Sequence, residues 1–286
     1  MKTVLVLGAS GQLGKCIKKL AEKEDNIDWL FMDSSEIDIT SNCDLQACFN
    51  SKQIDYCINC AAYTNVEKAE SEKEKAFLIN ADAVKNLALI CKENSTVPIH
   101  ISTDYVFDGK ADQSYLETDA TNPLNVYGAS KLKGEAYIQE ILHEYFIFRT
   151  SWLYSEFGHN FFKTILNKAE EGAKLNITTA QKGTPTNAND LAELILKLIL
   201  EKNTKFGLYH FSNAGETTWY GFAKAILKAS GKIDEIELNQ DNSYKTIAER
   251  PENSVLSKNK LIENLGFTPK PWEESLRELY TGLQKA

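Results

Sequence analysis

A tyrosine and a lysine stand four positions apart in NVYGASKLKGE (125–135), at Tyr127 and Lys131. On a helix, positions i and i+4 share a face. An ammonium beside a phenol favours the phenolate and lowers a pKa that starts near ~10. Such a tyrosine can give a proton to an alkoxide forming from a ketone, or take one from an alcohol. A further donor is needed to fix the substrate oxygen, and HISTDYVF (100–107) offers Ser102 and Thr103 at the end of an expected strand.

A second group of residues suits an anion. VLGASGQLG (6–14) follows an apolar run and spaces Gly8, Gly11 and Gly14 as G-x-x-G-x-x-G. Glycines there permit a tight turn, close approach of backbone amides to a pyrophosphate, and close helix–sheet packing. The partial positive charge of the following helix N-terminus then faces the phosphates. Asp33 ends the next strand. A carboxylate at that place accepts hydrogen bonds from ribose hydroxyls and repels a 2′-phosphate. Its neighbours Ser34, Ser35 and Glu36 bring no compensating cation, so the local residues favour NADH over NADPH. The competing reading of Asp33 is a turn cap.

The elements that must position these groups alternate. Strands are expected at KTVLVLG (2–8), DWLFMD (28–33), IDYCINCAA (54–62), VPIHISTDYVF (97–107), YFIFRTSW (145–152) and GLYHFS (207–212). Helices are expected from Gln12 to about Lys23, over CDLQACFNSK (43–52), and over about 72–93, 126–143 and 217–230. Such alternation means an α/β fold, a Rossmann-type doubly wound parallel sheet. We expect a dinucleotide-binding domain over 1–150, with segments near 187–212 returning to it, and a smaller, irregular substrate domain mainly over 151–286. The smaller domain would cover the carboxyl ends of the strands, where open α/β sheets bind ligands.

The 286 residues suffice for two modest domains. A net charge of −8 argues against a nucleic-acid surface. The apolar run of MKTVLVLGAS is too short for a secretory signal, and LAELILKLIL (191–200) is too short and too charged to span a membrane. The expectation is a cytoplasmic chain. Cys57 and Cys60 form a CxxC, but a strand turns residues three apart to opposite faces, so both read as structural thiols. The charged run EKAESEKEKAF (67–77) reads as a solvated helix face.

The chain resembles the extended short-chain dehydrogenase/reductases and, among them, the dTDP-4-dehydrorhamnose reductase family. The pieces that carry the resemblance are GASGQLG, NCAAYTNVEKAESE, STDYVFDG, ETDATNPLNVYGASKLKGE, FRTSWLY, GTPT, GLYHFSNAGETTW and ERPENSVL, in that order along nearly the whole chain. The resemblance implies reduction of a 4-keto-6-deoxy sugar of dTDP by NADH or NADPH. It makes Tyr127 the proton donor, Lys131 its partner on the nicotinamide ribose, and Thr103 the residue that tunes the substrate oxygen. It places Gly11, Gln12 and Leu13 at the pyrophosphate, Asp33 at the adenosine ribose, and Asp38 and Ile39 beside the adenine. Ala61, Ala62, Tyr63 and Thr64 would line the cofactor, and Asp104 and Trp152 the sugar nucleotide.

Arg250 is a candidate for the diphosphate, because Arg grips phosphate oxygens bidentately. Trp152 reads equally as core, and Arg250 as a surface partner of Glu249 or Glu252. Some family members dimerise around magnesium held by a carboxylate just after the glycine loop. Here that segment is KCIKKL (15–20), without an acid. No metal is expected, and the chain is expected as a monomer or weak homodimer. A sugar-nucleotide dehydratase needs a second acid directly after the Thr, and Tyr105 follows Asp104 instead. A reductase or epimerase acting on another nucleotide sugar, and a non-catalytic regulatory subunit like that of methionine adenosyltransferase, remain as alternatives.

Overall fold

The run TVLVL is buried on both faces, as a strand in the middle of a parallel sheet must be, so it shows no alternation. It forms β1 (Lys2–Leu7), followed by α1 (Gln12–Ala21), β2 (Ile27–Met32), α2 (Asn42–Ser51) and β3 (Tyr56–Asn59). Helices α3 (Val66–Ala69), α4 (Lys73–Phe77) and α5 (Ala83–Glu93) lead to β4 (Val97–Thr103), and α6 (Val126–Ile141) leads to β5 (Phe146–Thr150). Next come β6 (Leu153–Tyr154), α7 (Phe161–Glu170), β7 (Leu175–Ile177), β8 (Lys182–Gly183), β9 (Thr186–Asn187), α8 (Ala188–Leu200) and β10 (Gly207–His210). The chain finishes with β11 (Thr217–Thr218), α9 (Trp219–Ala229), β12 (Leu238–Gln240), α10 (Asn259–Leu265) and α11 (Trp272–Leu283). This computed structural model describes residues 1–243 and 245–285.

Six strands make one parallel sheet in the order β10-β5-β4-β3-β1-β2. The chain order reverses at β1, which is flanked by β2 on one side and β3 on the other. The crevice at the carboxyl ends beside β1 is therefore the topological switch point. One face of the sheet packs Val4, Val6, Ile58 and Phe148 against Leu13 and Ile17 of α1 and Leu191 and Ile195 of α8. The other face packs Leu5, Leu7, Cys57 and Ile147 against α2, α5 and α6. Cys57 and Cys60 lie on opposite faces, as a strand requires. A third core joins Tyr154, Phe162, Phe222, Ile226, Trp272 and Leu276 from the second half. No described helix is long and apolar enough to cross a membrane.

Four sequence expectations change in the structure. The helix over 72–93 is interrupted by a π-helical turn, Leu78–Asp82, which takes Asn80 into the interior at 1% exposure. The strand VPIHISTDYVF stops at Thr103, whose hydroxyl accepts from Tyr105 N and caps a 3₁₀ turn, Asp104–Val106. The strand YFIFRTSW stops at Thr150, and Trp152 takes a left-handed conformation at φ 45°. The acidic run from Glu67 is also more than a solvated face. Glu67 accepts from Ile247 N and Ala248 N and pairs with Arg250, and Glu70 accepts from Val126 N at the start of α6. These carboxylates face unpaired backbone donors from distant segments, which no local pattern reveals.

Candidate active site

The glycine loop is built by contact, not only by flexibility. Gly8 has φ +75°, and a Cβ there would lie 2.7 Å from Ala61 N. A Cβ on Gly14 would lie 2.6 Å from Gly8 O. The loop thus closes on itself and against the residue after β3. Helix α1 starts at Gln12 with no side chain capping it and no acid in its first turn. Its first amides and the positive end of its dipole are left to an external anion, and this cradle fits the diphosphate of a dinucleotide. Leu13 puts its side chain into the core, so only its backbone faces the cradle. The Gln12 side chain ties the loop to the second half: it donates to Leu153 O and accepts from Ser155 Oγ and Asn160 Nδ2.

Asp33 ends β2 and accepts from Ser35 N at 2.8 Å and Ser35 Oγ at 2.6 Å through the same oxygen. These bonds hold its carboxyl below the ordinary value, so it is ionised. It is therefore a turn former, as the competing reading held, with Oδ2 still available. Asp38 makes the same turn with Thr40, and Ile39 is buried in the core. The segment Ala61, Ala62, Tyr63 and Thr64 follows β3. Its backbone is gripped by Asn80, whose Oδ1 accepts from Tyr63 N and whose Nδ2 donates to Tyr63 O and to Ser130 Oγ on α6. Asn80 fixes the Tyr63 backbone relative to α6, and it was not among the candidates. An asparagine inside an apolar helix was the available signal.

Helix α6 is capped by Asn125, which accepts from Gly128 N at 2.8 Å. Gly128 and Gly134 let the helix approach Tyr105 O and Asn80 O, where any Cβ would lie 2.1 and 2.2 Å away. This close approach brings Tyr127 to the end of β4. Its half-buried phenol lies beside Thr103 and the Asp104 carboxyl. Burial dominates and raises its pKa to about 12, against the pull of the neighbouring Thr103 hydroxyl. The sequence predicted a phenol lowered by Lys131. Instead the Lys131 ammonium donates to Ile101 O at 2.6 Å and lies 3.4 Å from His100 Nε2, so desolvation decides the phenol's state. Lys131 is 2% exposed, and burial lowers it to about 8.

Asp104 is buried, accepts from Thr103 Oγ1, and is raised to about 6 by burial. Its Oδ2 is buried without a partner among the described residues. Ser102 faces away from Tyr127 and donates to Glu135, which is bidentate to Arg149. Trp152 is half-buried and stacks on Trp219 with ring centroids 3.8 Å apart, its ring pressed against Gly183. A bulky residue at positive φ marks a place where local strain is held by its surroundings. Arg250 pairs with Glu67 at 2.9 Å, not with Glu249 or Glu252, and its Nε is buried without a partner among the described residues. Thr103 therefore bonds Asp104 with Tyr127 beside them, while Lys131 turns to Ile101 O and His100 and Arg250 pairs with Glu67. Asp33 and Asp38 lie apart at the β2 end.

The doubly wound sheet, the glycine loop at its switch point and the Thr–Tyr–Lys group at the next strand end define a Rossmann-type protein of the short-chain dehydrogenase/reductase kind. Residues 1–285 match the family model described as the RmlD substrate binding domain. A dTDP-4-dehydrorhamnose reductase of Aggregatibacter actinomycetemcomitans is 35% identical, over 98% of each chain. The crystal structure of a dTDP-4-dehydrorhamnose reductase from Clostridium acetobutylicum is 38% identical, covers 99% of each chain and gives a TM-score of 0.93. That of Bacillus anthracis, in complex with NADP, is 35% identical, covers 99% of this chain and 100% of its own, and gives 0.92. The chain belongs to the dTDP-4-dehydrorhamnose reductase family.

Proposed function

We propose that the chain reduces the C4 keto group of dTDP-4-dehydro-L-rhamnose (dTDP-6-deoxy-L-lyxo-4-hexulose) to give dTDP-L-rhamnose, with Tyr127 as proton donor. The observation that carries this reading is the placement of the Tyr127 phenol beside Thr103 at the carboxyl end of β4, where burial keeps it protonated. Reduction consumes a proton at the sugar oxygen, and a phenol held near 12 is ready to give one once that oxygen becomes an alkoxide. Thr103 orients the same oxygen. Lys131 holds the nicotinamide ribose and supplies positive charge one helical turn from the phenol.

When bound, the nicotinamide dinucleotide supplies the hydride. Its diphosphate is held by the backbone of Gly8, Gly11, Gln12, Leu13 and Gly14. Asp33 takes the adenosine ribose, with Asp38 and Ile39 beside the adenine and Ala61, Ala62, Tyr63 and Thr64 along the rest. The unbonded oxygen of Asp33 supports NADH as the favoured cofactor, while the NADP bound to the Bacillus anthracis relative keeps NADPH in the test. Asp104, Trp152 and Arg250 take the sugar nucleotide. The reading has the chain at work in the cytoplasm as a monomer or weak homodimer, without magnesium.

The test follows oxidation of NADH, then of NADPH, on the dTDP-4-keto-6-deoxy sugar with the 3,5-epimerase present. Turnover that depends on this chain is expected, faster with NADH, and Tyr127→Phe is expected to lower it about 10³-fold. Near wild-type turnover in Tyr127→Phe would overturn the mechanism. Cofactor binding without turnover would favour another sugar nucleotide or a regulatory subunit.

A further inference from the structure

Behind Lys131 lies a buried imidazole that the proposed reaction does not use. His100 on β4 is 1% exposed, and its Nε2 lies 3.4 Å from Lys131 Nζ. Its Nδ1 lies 3.2 Å from Asn59 Nδ2 at the end of β3. Chemistry fixes which way the Asn59 amide points. Its oxygen accepts from Ala61 N at 3.1 Å, which an amide nitrogen cannot do. Asn59 therefore presents N–H to His100, and Nδ1 must accept it. A neutral imidazole carries one proton, so that proton sits on Nε2. The imidazolium is opposed by burial and by the Lys131 charge, which together hold His100 well below its ordinary value.

The result is an N–H aimed at an ammonium, a group with donors only. Each neighbour of Nζ has a sign. Burial disfavours the ammonium, while Glu135 on the same helix favours it; the Cys60 thiol beyond β3 is held neutral by burial. Glu135 is already engaged by Ser102 and, bidentately, by Arg149 on β5. Tyr127 lies one turn back on α6 and is itself held neutral by burial. The one short hydrogen bond that Lys131 Nζ makes among the described residues is to Ile101 O, at 2.6 Å.

We infer that His100, locked by Asn59 as its Nε2–H tautomer, is a positioning residue that sets how firmly Lys131 holds its proton. The inference rests on the reading of Lys131 as the partner of Tyr127 and deepens it. The lysine becomes a cation that releases its proton within reach of neutral pH and accepts the His100 N–H when it does. A lysine facing an acceptor at that position would stay charged throughout the working range.

The test reads Lys131 directly. In a lysine-labelled chain, the carbon-13 shift of Lys131 Cε follows its protonation, with the signal assigned by its loss in Lys131→Met. His100→Gln can turn an amide oxygen towards Nζ. Asn59→Asp replaces the donor at Nδ1 by an acceptor, moving the imidazole proton to Nδ1 and turning the Nε2 lone pair to Nζ. In both variants the Lys131 midpoint is expected to rise by about one pH unit, a tenfold gain in proton affinity. Nitrogen-15 spectra of the wild-type histidines are expected to show His100 neutral and protonated on Nε2 between about pH 6 and 9. An Nδ1–H tautomer in the wild type, or an unchanged midpoint in the variants that fold, would overturn the inference. If the midpoint rises while the pH dependence of turnover stays fixed, the inference stands and the catalytic role of Lys131 fails.

Discussion

Two buried cations flank the proton-transfer group, and the fold treats them in opposite ways. Arg149 on β5 is closed into a bidentate pair with Glu135, whose other contact is Ser102. Lys131, four residues before Glu135 on α6, has a backbone carbonyl and an imidazole N–H for neighbours. The first arrangement keeps a charge in place: carboxylate and guanidinium face each other bidentately, although Arg149 Nη1 is buried without a partner among the described residues. The second leaves a charge poorly compensated and lowers the lysine to about 8. The first cation is held by its own counter-charge and the second by a backbone carbonyl.

The largest expected effect breaks the closed pair. Glu135→Ala leaves Arg149 buried without its counter-ion and is expected to cost about 3–5 kcal/mol of stability, read by urea unfolding. Lys131→Met, by contrast, removes a cation that burial already penalises. The relief offsets the lost bond to Ile101 O, so stability is expected to stay within about 1 kcal/mol of wild type. Turnover should nonetheless fall roughly 10²-fold or more. Equal destabilisation by the two variants would erase the distinction between the cations.

Asp104 sharpens the comparison from the acidic side. Its carboxyl rises from 3.8 to about 6 on folding, because burial disfavours the anion. The stability it contributes is complete below its unfolded value and is lost as pH rises through its folded one. Unfolding free energy should therefore decline by up to roughly 3 kcal/mol between those two values, and Asp104→Asn should remove that decline. The smallest effect is expected at the half-exposed pair of Glu67 and Arg250. Glu67→Gln retains an acceptor for Ile247 N and should cost less than about 1 kcal/mol in denaturant titrations.

Much of the frame was legible in the residues. The apolar runs located all six strands of the main sheet, because strands covered on both faces are rich in apolar residues, although β4 and β5 also bury His100, Ser102 and Arg149. The glycine spacing located the cradle, because only that spacing lets the turn close at Gly8 and the helix pack at Gly14. What escaped were the contacts between distant segments. Asn80 is delivered inward by a π turn, and its one sequence mark, an asparagine within a helical run, does not name the Tyr63 backbone as its partner. Glu67 looked like one acid in a solvated run until the 247–250 segment folded onto it.

The sequence by itself determined the α/β alternation, the glycine cradle and the four-residue spacing of Tyr127 and Lys131, since each follows from local geometry. Only the tertiary structure decided the protonation states around that spacing. Local spacing says that an ammonium and a phenol share a helix face. It does not say that the phenol is desolvated upward to about 12, or that the ammonium turns to Ile101 O and His100. Proton affinities depend on burial and on neighbours brought from β3, β4 and β5, and those are set only when the chain has folded.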